Sequence, residues 1–167
     1  MTAFAIVKDY FPGAIGRVAE LHGDFYHRYR GFGLFFEAKV ARELASFFSR
    51  YDDTRDGFWA VVKKGRMEGA VVIDGQDAAG EGAHLRWFIV SDGMRGQGAG
   101  SSLIQTAMDF CRHKRYPAVY LWTFEGLAAA RHLYEKNGFR CVAERPGDQW
   151  GVTVNEQRFE WTAREGR

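Results

Sequence analysis

Val90-Ser91-Asp92-Gly93-Met94-Arg95-Gly96-Gln97-Gly98-Ala99-Gly100-Ser101 joins an apolar run, Ala83 to Val90, to an amphipathic run that continues to about Lys114. Within it, Arg95-Gly96-Gln97-Gly98-Ala99-Gly100 has glycine at every second position. A strand–loop–helix junction of this kind gathers unsatisfied backbone N–H groups at the positive end of a helix dipole, which suits an anion. Glycine lets such a backbone approach a phosphate closely and take positive φ without penalty. The spacing excludes two common nucleotide motifs. No lysine follows the glycines as a P-loop requires, and the third glycine of G-x-G-x-x-G would fall on Ser101 or Leu103. What remains is R-G-x-G-x-G after a strand.

The 167 residues suit one domain, residues 1–167, with a sizeable core. A hydrophobic content of 46% and an aromatic content of 16% argue against disorder. A net charge of +2 is too weak a bias to imply nucleic acid as a partner. Cys111 and Cys141 lack metal-type spacing, and each lies in an apolar periodic run, so buried free thiols are expected. Met1 to Val7 has no basic n-region, and Lys8-Asp9 ends its apolar stretch, so no signal peptide is expected. No run reaches the ~20 apolar residues of a membrane span. These features predict a cytoplasmic protein with no membrane partner.

Working outward from the glycine stretch, Phe4 to Lys8 reads as a strand and Pro12 as the start of a helix. That helix places Ile15, Val18, Ala19, His22, Phe25, Tyr26 and Tyr29 on one face. A second helix, Leu34 to Arg50, has Phe36, Val40, Leu44, Phe47 and Phe48 on one side. Phe58–Lys63 and Met67–Asp74 read as strands joined at Lys64-Gly65-Arg66, with Ala83–Val90 as the third in succession. After the loop, a helix buries Leu103, Ile104, Ala107, Met108 and Cys111. Ala118–Thr123 is a strand. Gly126–Asn137 is a helix with Leu127, Ala130, Arg131 and Tyr134 on successive turns, stopped by Gly138. Phe139–Glu144 and Val152–Trp161 are strands around a Pro146-Gly147 turn. The result is a mixed α/β domain of order β-α-α-β-β-β-α-β-α-β-β. The intervening helix makes the Ala83 and Ala118 strands parallel.

R-G-x-G-x-G at Arg95–Gly100 resembles the pyrophosphate-binding motif of the GNAT N-acetyltransferase superfamily. Ala130-Arg131-His132-Leu133-Tyr134-Glu135-Lys136-Asn137-Gly138-Phe139 resembles the A-x-x-L-Y-x-x-x-G-F signature of the same family. The element order is similar over nearly the whole chain. The stretches His22–Phe48 and Tyr120–Thr123 resemble the acetyltransferase halves of bacterial proteins that fuse a MarR-type domain to a GNAT domain. No MarR-type domain is expected within these residues.

The resemblance implies a GNAT-like acyl-CoA N-acyltransferase fold and transfer of an acetyl group from acetyl-CoA, as co-substrate, to a primary amine. Phe88, Ile89 and Val90 would pair with the pantetheine arm, and Arg95, Gly96, Gln97, Gly98, Ala99, Gly100 and Ser101 would hold the pyrophosphate. Tyr134 would protonate the departing thiolate. Where relatives often carry an asparagine before that tyrosine, this chain has Leu127 and Phe124, so Leu127 would take that place at the CoA ligand and one polar pantetheine contact is missing or replaced. Where relatives carry a glutamate base on the strand before the loop, His84 or Arg86 falls here. The family often forms homodimers, and no stretch here localises an interface. No metal is called for.

An amine of pKa ~10 is protonated at neutral pH and must lose its proton to attack. A histidine such as His84 suits that task. The developing oxyanion needs a preorganised donor, for which a backbone N–H at the end of the Ala83–Val90 strand is placed. Other candidates carry competing structural readings. His22 on an apolar face reads as core, and His27 lies in the same region. Glu20, Asp24 and Glu37 could attract a cationic amine but also read as solvated helix charges. Trp87, Trp122 and Trp150 could wall an acceptor pocket or pack the core. The basic run Arg112–Arg115 sits at a helix end, where the dipole favours it. The acceptor stays open: a small amine, an amino-acid-like compound, or a lysine or N-terminus of a peptide. A non-catalytic acyl-CoA sensor or interaction domain is the alternative reading, and a binder of some other phosphate ligand a weaker one.

Overall fold

The computed structural model describes residues 3–164; the extreme ends of the expected 1–167 domain lie outside them. Seven strands form one sheet: β1 (Ala5–Lys8), β2 (Gly57–Lys63), β3 (Arg66–Asp74), β4 (Ala83–Val90), β5 (Ala118–Phe124), β6 (Arg140–Gly147) and β7 (Val154–Thr162). Their spatial order is β1-β2-β3-β4-β5-β7-β6. The described residues also form four α-helices, α1 (Ala14–Arg30), α2 (Leu34–Ser49), α3 (Ala99–His113) and α4 (Ala128–Lys136), and a short 3-10 turn at Asp92–Met94. The order is the mixed α/β one expected, and β4 and β5 are the parallel pair. No helix among the described residues is long and apolar enough to cross a membrane.

The sheet separates two cores. On one face α1 and α2 bury Val18, Phe36, Val40, Leu44 and Phe47 against Phe58, Ala70 and Val72. On the other, α3 buries Leu103, Ile104, Ala107, Met108 and Cys111, and α4 contributes Tyr134. Both follow from apolar residues recurring at helical spacing opposite strands of period two. The β2–β3 hairpin closes through Lys64 (φ 51°) and Gly65 (φ 74°), the left-handed pair that matches strand twist.

Several local expectations need correction. Pro146 and Gly147 are not a turn. They pair with Asn155 and Val154 inside β6, and the reversal follows them. β6 is an edge strand, where a residue without an N–H costs no ladder bond. Tyr29 is exposed rather than on the buried face of α1. Arg131 also faces outward, paired with Glu135 at 2.6 Å. Cys111 is buried, but Cys141 is only partly so, again because β6 is an edge; both thiols are free. α3 begins at Ala99, two residues before the expected start, so the last glycine lies within the helix.

Candidate functional site

β4 changes phase midway. Ala70 pairs with Ile89 and Val72 with Arg86, so Trp87 and Phe88 together oppose the single residue Val71. This is a β-bulge, and Trp87 takes φ 48° there, a strained value for a bulky residue. The extra residue exchanges faces. Leu85 points into the α3 core, and Phe88 and Val90 pack against that same core; Trp87 and Ile89 join the α1–α2 side.

β4 and β5 also part company. Their parallel pairing includes only Ala83 with Val119 and His84 with Tyr120. Beyond that rung the two strands diverge. The backbone of β4 that faces β5 has no strand partner there, and cavities open on both sides of the split.

The larger cavity, about 620 Å³, is lined by Phe88, Ile89, Val90, Arg95, Gly96, Gly98, Ala99, Gly100, Ser101 and Leu127. Ten of the eleven residues expected to hold a CoA ligand therefore meet at one surface. Gln97 does not: its amide donates to the Gly93 carbonyl at 3.0 Å and accepts from Lys63 at 3.2 Å, and its N–H bonds the Met94 carbonyl. A side chain in a tight turn points away from the concave side that its neighbours' amides face, which spacing alone does not reveal.

At the head of α3 the N-cap is Gly98 with φ 79°, and no side chain caps the helix. The first backbone bond into the helix start runs from Ser102 N–H to the Gly98 carbonyl. Among the described residues the N–H groups of Gly98, Ala99, Gly100 and Ser101 are thus left without an acceptor, the usual condition of an uncapped helix start. A Cβ on Gly100 would sit 3.1 Å from Leu133 Cδ1 and 3.4 Å from Phe88 Cζ, so a side chain there would crowd the cavity wall. Positive-φ glycines, uncapped amides and an open cavity together fit a diphosphate with an extended tail.

The loop is braced from α1. Asp92 accepts from Arg28 at 2.9 Å, from Arg95 at 2.9 Å and from Tyr29 at 3.2 Å. Burial works against ionisation of Asp92, but these bonds outweigh it and hold its carboxyl below the usual range. Arg95 then packs over Phe25 and Tyr29. Arg30 donates to the Gly126 carbonyl at 2.7 Å, fixing the turn that presents Leu127.

The second cavity, about 320 Å³, holds His84 and Tyr134 together with His22, Trp87, Trp122 and Trp150. Tyr26 and Phe88 line both cavities, so the two meet at those side chains. Tyr134 is 6% exposed, and burial pushes its phenol well above the ordinary value. It is therefore a protonated donor throughout the neutral range. Tyr26 is likewise raised, to about 12, by burial. His84 is lowered to about 3, by burial and then by Arg86. His22 is lowered to about 4 by burial. Its Nδ1 lies 2.8 Å from the Val18 carbonyl, which can only accept. Nδ1 therefore carries the proton and Nε2 the lone pair.

His27, Glu20, Asp24, Glu37 and the Arg112–Arg115 run line neither cavity. His27 bonds the Phe32 carbonyl, Glu20 pairs with Arg17, and Asp24 pairs with Arg28. Sequence reasoning missed Lys39 and Glu43, which line the second cavity with Arg86. Their i,i+4 spacing was the available signal, but it reads equally as a surface pair. Among the described residues no group of three or more His, Cys, Asp or Glu is placed to hold a metal ion.

Comparison with known structures places this architecture. An acetyltransferase from Streptococcus agalactiae superposes with a TM-score of 0.75 at 16% identity, covering 98% of this chain and 100% of the other. A GNAT-family acetyltransferase from Staphylococcus aureus gives 0.73 at 17%, covering 96% and 99%. One from Elizabethkingia anophelis with acetyl-CoA bound gives 0.66 at 14%, covering 98% and 100%. No curated protein sequence matches. The acetyltransferase (GNAT) family model matches residues 18–139, a span that includes the bulged strand, the glycine turn and Tyr134. On that match, the chain belongs to the GNAT acetyltransferase family.

Proposed function

We propose that the chain is an N-acetyltransferase, a single domain over residues 1–167, that uses acetyl-CoA to acetylate a primary amine. The observation that carries this reading is the meeting of two cavities at the β4–β5 split, one walled by uncapped amides and the other by Tyr134 and two histidines. The donor contributes an acetyl group activated as a thioester. Within Arg95 to Ser101, the main-chain N–H groups of Gly96 and of Gly98 to Ser101 hold its diphosphate, while Arg95 and Gln97, whose own N–H groups bond the Asp92 and Met94 carbonyls, shape the loop. Phe88, Ile89 and Val90 pair with the extended arm along the free edge of β4. Leu127 covers that arm with an apolar contact. The same edge offers N–H groups to negative charge developing on the carbonyl oxygen.

Tyr134 donates a proton to the departing thiolate. His84, kept neutral by burial, takes up the proton the amine gives up, directly or through water, only in passing and hands it on to solvent. His22 offers the same chemistry, because its free Nε2 belongs to a ring that lines the same cavity. Holding both reactants at the shared wall of Tyr26 and Phe88 supplies much of the acceleration. A protein from Elizabethkingia anophelis with this fold holds acetyl-CoA, which supports the choice of ligand. The likeness of His22–Phe48 to MarR–GNAT fusion proteins bears on lineage and does not select an acceptor.

Thermal unfolding with acetyl-CoA, CoA, ATP and NAD tests the ligand, since a native-state ligand stabilises by RT ln(1 + [L]/Kd). Selective stabilisation by the two CoA species is expected; equal responses to all four would sink the assignment. Thiol release over an amine panel then separates a transferase from a non-catalytic acyl-CoA sensor, which would bind without turnover.

A further inference from the structure

The second cavity carries an unbalanced charge at one end. Lys39 and Arg86 both pair with Glu43, at 2.6 and 3.0 Å. Arg86 also approaches Asp74 at 3.6 Å, but Asp74 is already gripped by Arg50 through two bonds of 3.1 and 2.6 Å. Among the side chains that line the cavity, two cations therefore share one carboxylate. Lys39 and Arg86 are only 21% and 20% exposed, so water screens the excess poorly, and an additional anion would be favourable there.

The other end is neutral. Tyr26 and Phe88 form the wall shared with the larger cavity, the Tyr134 ring lies beside Phe88 with centroids 6.0 Å apart, and Arg86 lies two residues back along β4 from Phe88. An occupant whose amine faces Tyr134 would thus direct its other end toward Lys39. Trp122 and Trp150 also line the cavity. Both oxygens of Glu43 are taken by the two cations, so it offers little to a second positive charge.

Resting on the transferase reading above, we propose that the acceptor is a small amino acid-like compound, a primary amine that also carries a carboxylate, and that Lys39 and Arg86 receive that carboxylate. Polyamines and lysine side chains of basic peptides would bring a second cation toward two others and are rejected. Lys39 is a specificity residue here, because it acts on the end of the acceptor remote from the reacting nitrogen.

The test uses the full chain saturated with CoA and measures the further thermal stabilisation by L-phenylalanine, phenethylamine and spermidine, with thiol release from acetyl-CoA as a second readout. L-phenylalanine is expected to bind at least about tenfold more tightly than phenethylamine, the scale of one charge-assisted hydrogen bond. Lys39→Gln is expected to shrink that preference by weakening the amino acid alone, Arg86 being left to hold the carboxylate. Equal binding of phenethylamine or spermidine, no binding of the amino acid, or an equal loss of both ligands in Lys39→Gln would each overturn the proposal. Stabilisation by CoA itself separates the two claims. If it is retained while the carboxylate preference is absent, only the acceptor proposal fails; if CoA gives none, the transferase reading fails first and the acceptor proposal with it.

Discussion

His84 and Tyr120 stack across the last rung between β4 and β5, their ring centroids 4.4 Å apart and their planes 16° from parallel. The pair closes the sheet at the point where the strands begin to diverge. Arg158 lies 4.2 Å from the Tyr120 ring and adds a cation–π contact to the clasp. His84 is thus both a cavity-lining imidazole and part of the joint that sets the split. His84→Gln keeps a polar planar group and removes the titratable one. Its kcat should fall about 10²-fold while CoA stabilisation is retained, the scale of a lost general base. Unchanged kcat would confine His84 to the clasp and leave His22 as the proton acceptor.

Tyr134 is held in its phenol form by burial among Phe88, Phe139 and Phe159. Tyr134→Phe preserves that packing and deletes only the hydroxyl. The expected result is a kcat lower by about 10²-fold with an unchanged CoA-induced rise in Tm. Because its pKa is raised, titration of Tyr134 should not shape the alkaline limb of the wild-type rate profile below the ordinary tyrosine range. Thiol release that is unaffected in Tyr134→Phe would remove it as the acid.

Gly98 and Gly16 make a matched contrast. Gly98 has φ 79° at the head of α3, whereas Gly16 lies inside α1 with open space where a Cβ would stand. Gly98→Val should lose CoA stabilisation and about 1–3 kcal/mol of folding free energy through backbone strain. Gly16→Ala should gain roughly 0.5–1 kcal/mol from helix propensity with no change in ligand response. Denaturant melts with and without CoA report both effects.

Ser91 stands where β4 gives way to the glycine turn, and its hydroxyl is buried with no hydrogen-bond partner. Its backbone is already secured, N–H to the Glu68 carbonyl at 2.8 Å. Removing an unpaired buried hydroxyl relieves a desolvation cost, so Ser91→Ala should be neutral or stabilising by up to about 1 kcal/mol in a denaturant melt. A marked loss of stability would mean that the hydroxyl is satisfied in solution.

The elements that could be read from the sequence are those whose periodicity agreed with their burial. α3 is the clearest case: all five of its expected core positions are inaccessible. The glycine turn was legible because positive φ and close approach leave few residue choices. The bulge at Trp87 was not legible, since an apolar run of eight residues carries no mark of an extra residue in register. Nor was the edge position of β6, which depends on strand order and so turned Pro146-Gly147 from a turn into paired strand. Tyr26 read as core because aromatic residues at helical spacing usually are. Its place between two cavities follows from the divergence of β4 and β5, a tertiary fact. Lys39 and Glu43 come from α2 and Arg86 from β4, and only the folded chain makes them one cluster.

His22 makes stability depend on pH in a definite direction. The ring is buried, 4% exposed, and its pKa falls from 6.5 to about 4 on folding, chiefly through desolvation. The unfolded chain therefore binds a proton between those values that the folded chain does not. Stability is complete above the unfolded pKa and is lost as pH falls through this window. That lowering corresponds to about 3 kcal/mol. His84, lowered from 6.5 to about 3, acts in the same direction over the same window. Carboxylates such as Asp74, whose folded pKa is lowered from 3.8, do so mostly below it. Urea melts from pH 7 to pH 4 should thus show a steady decline, and His22→Leu should flatten a large part of it, leaving the share due to His84. A variant whose stability falls as steeply as the wild type would show that His22 becomes protonated without cost, and so is open to water rather than sealed beside Tyr26.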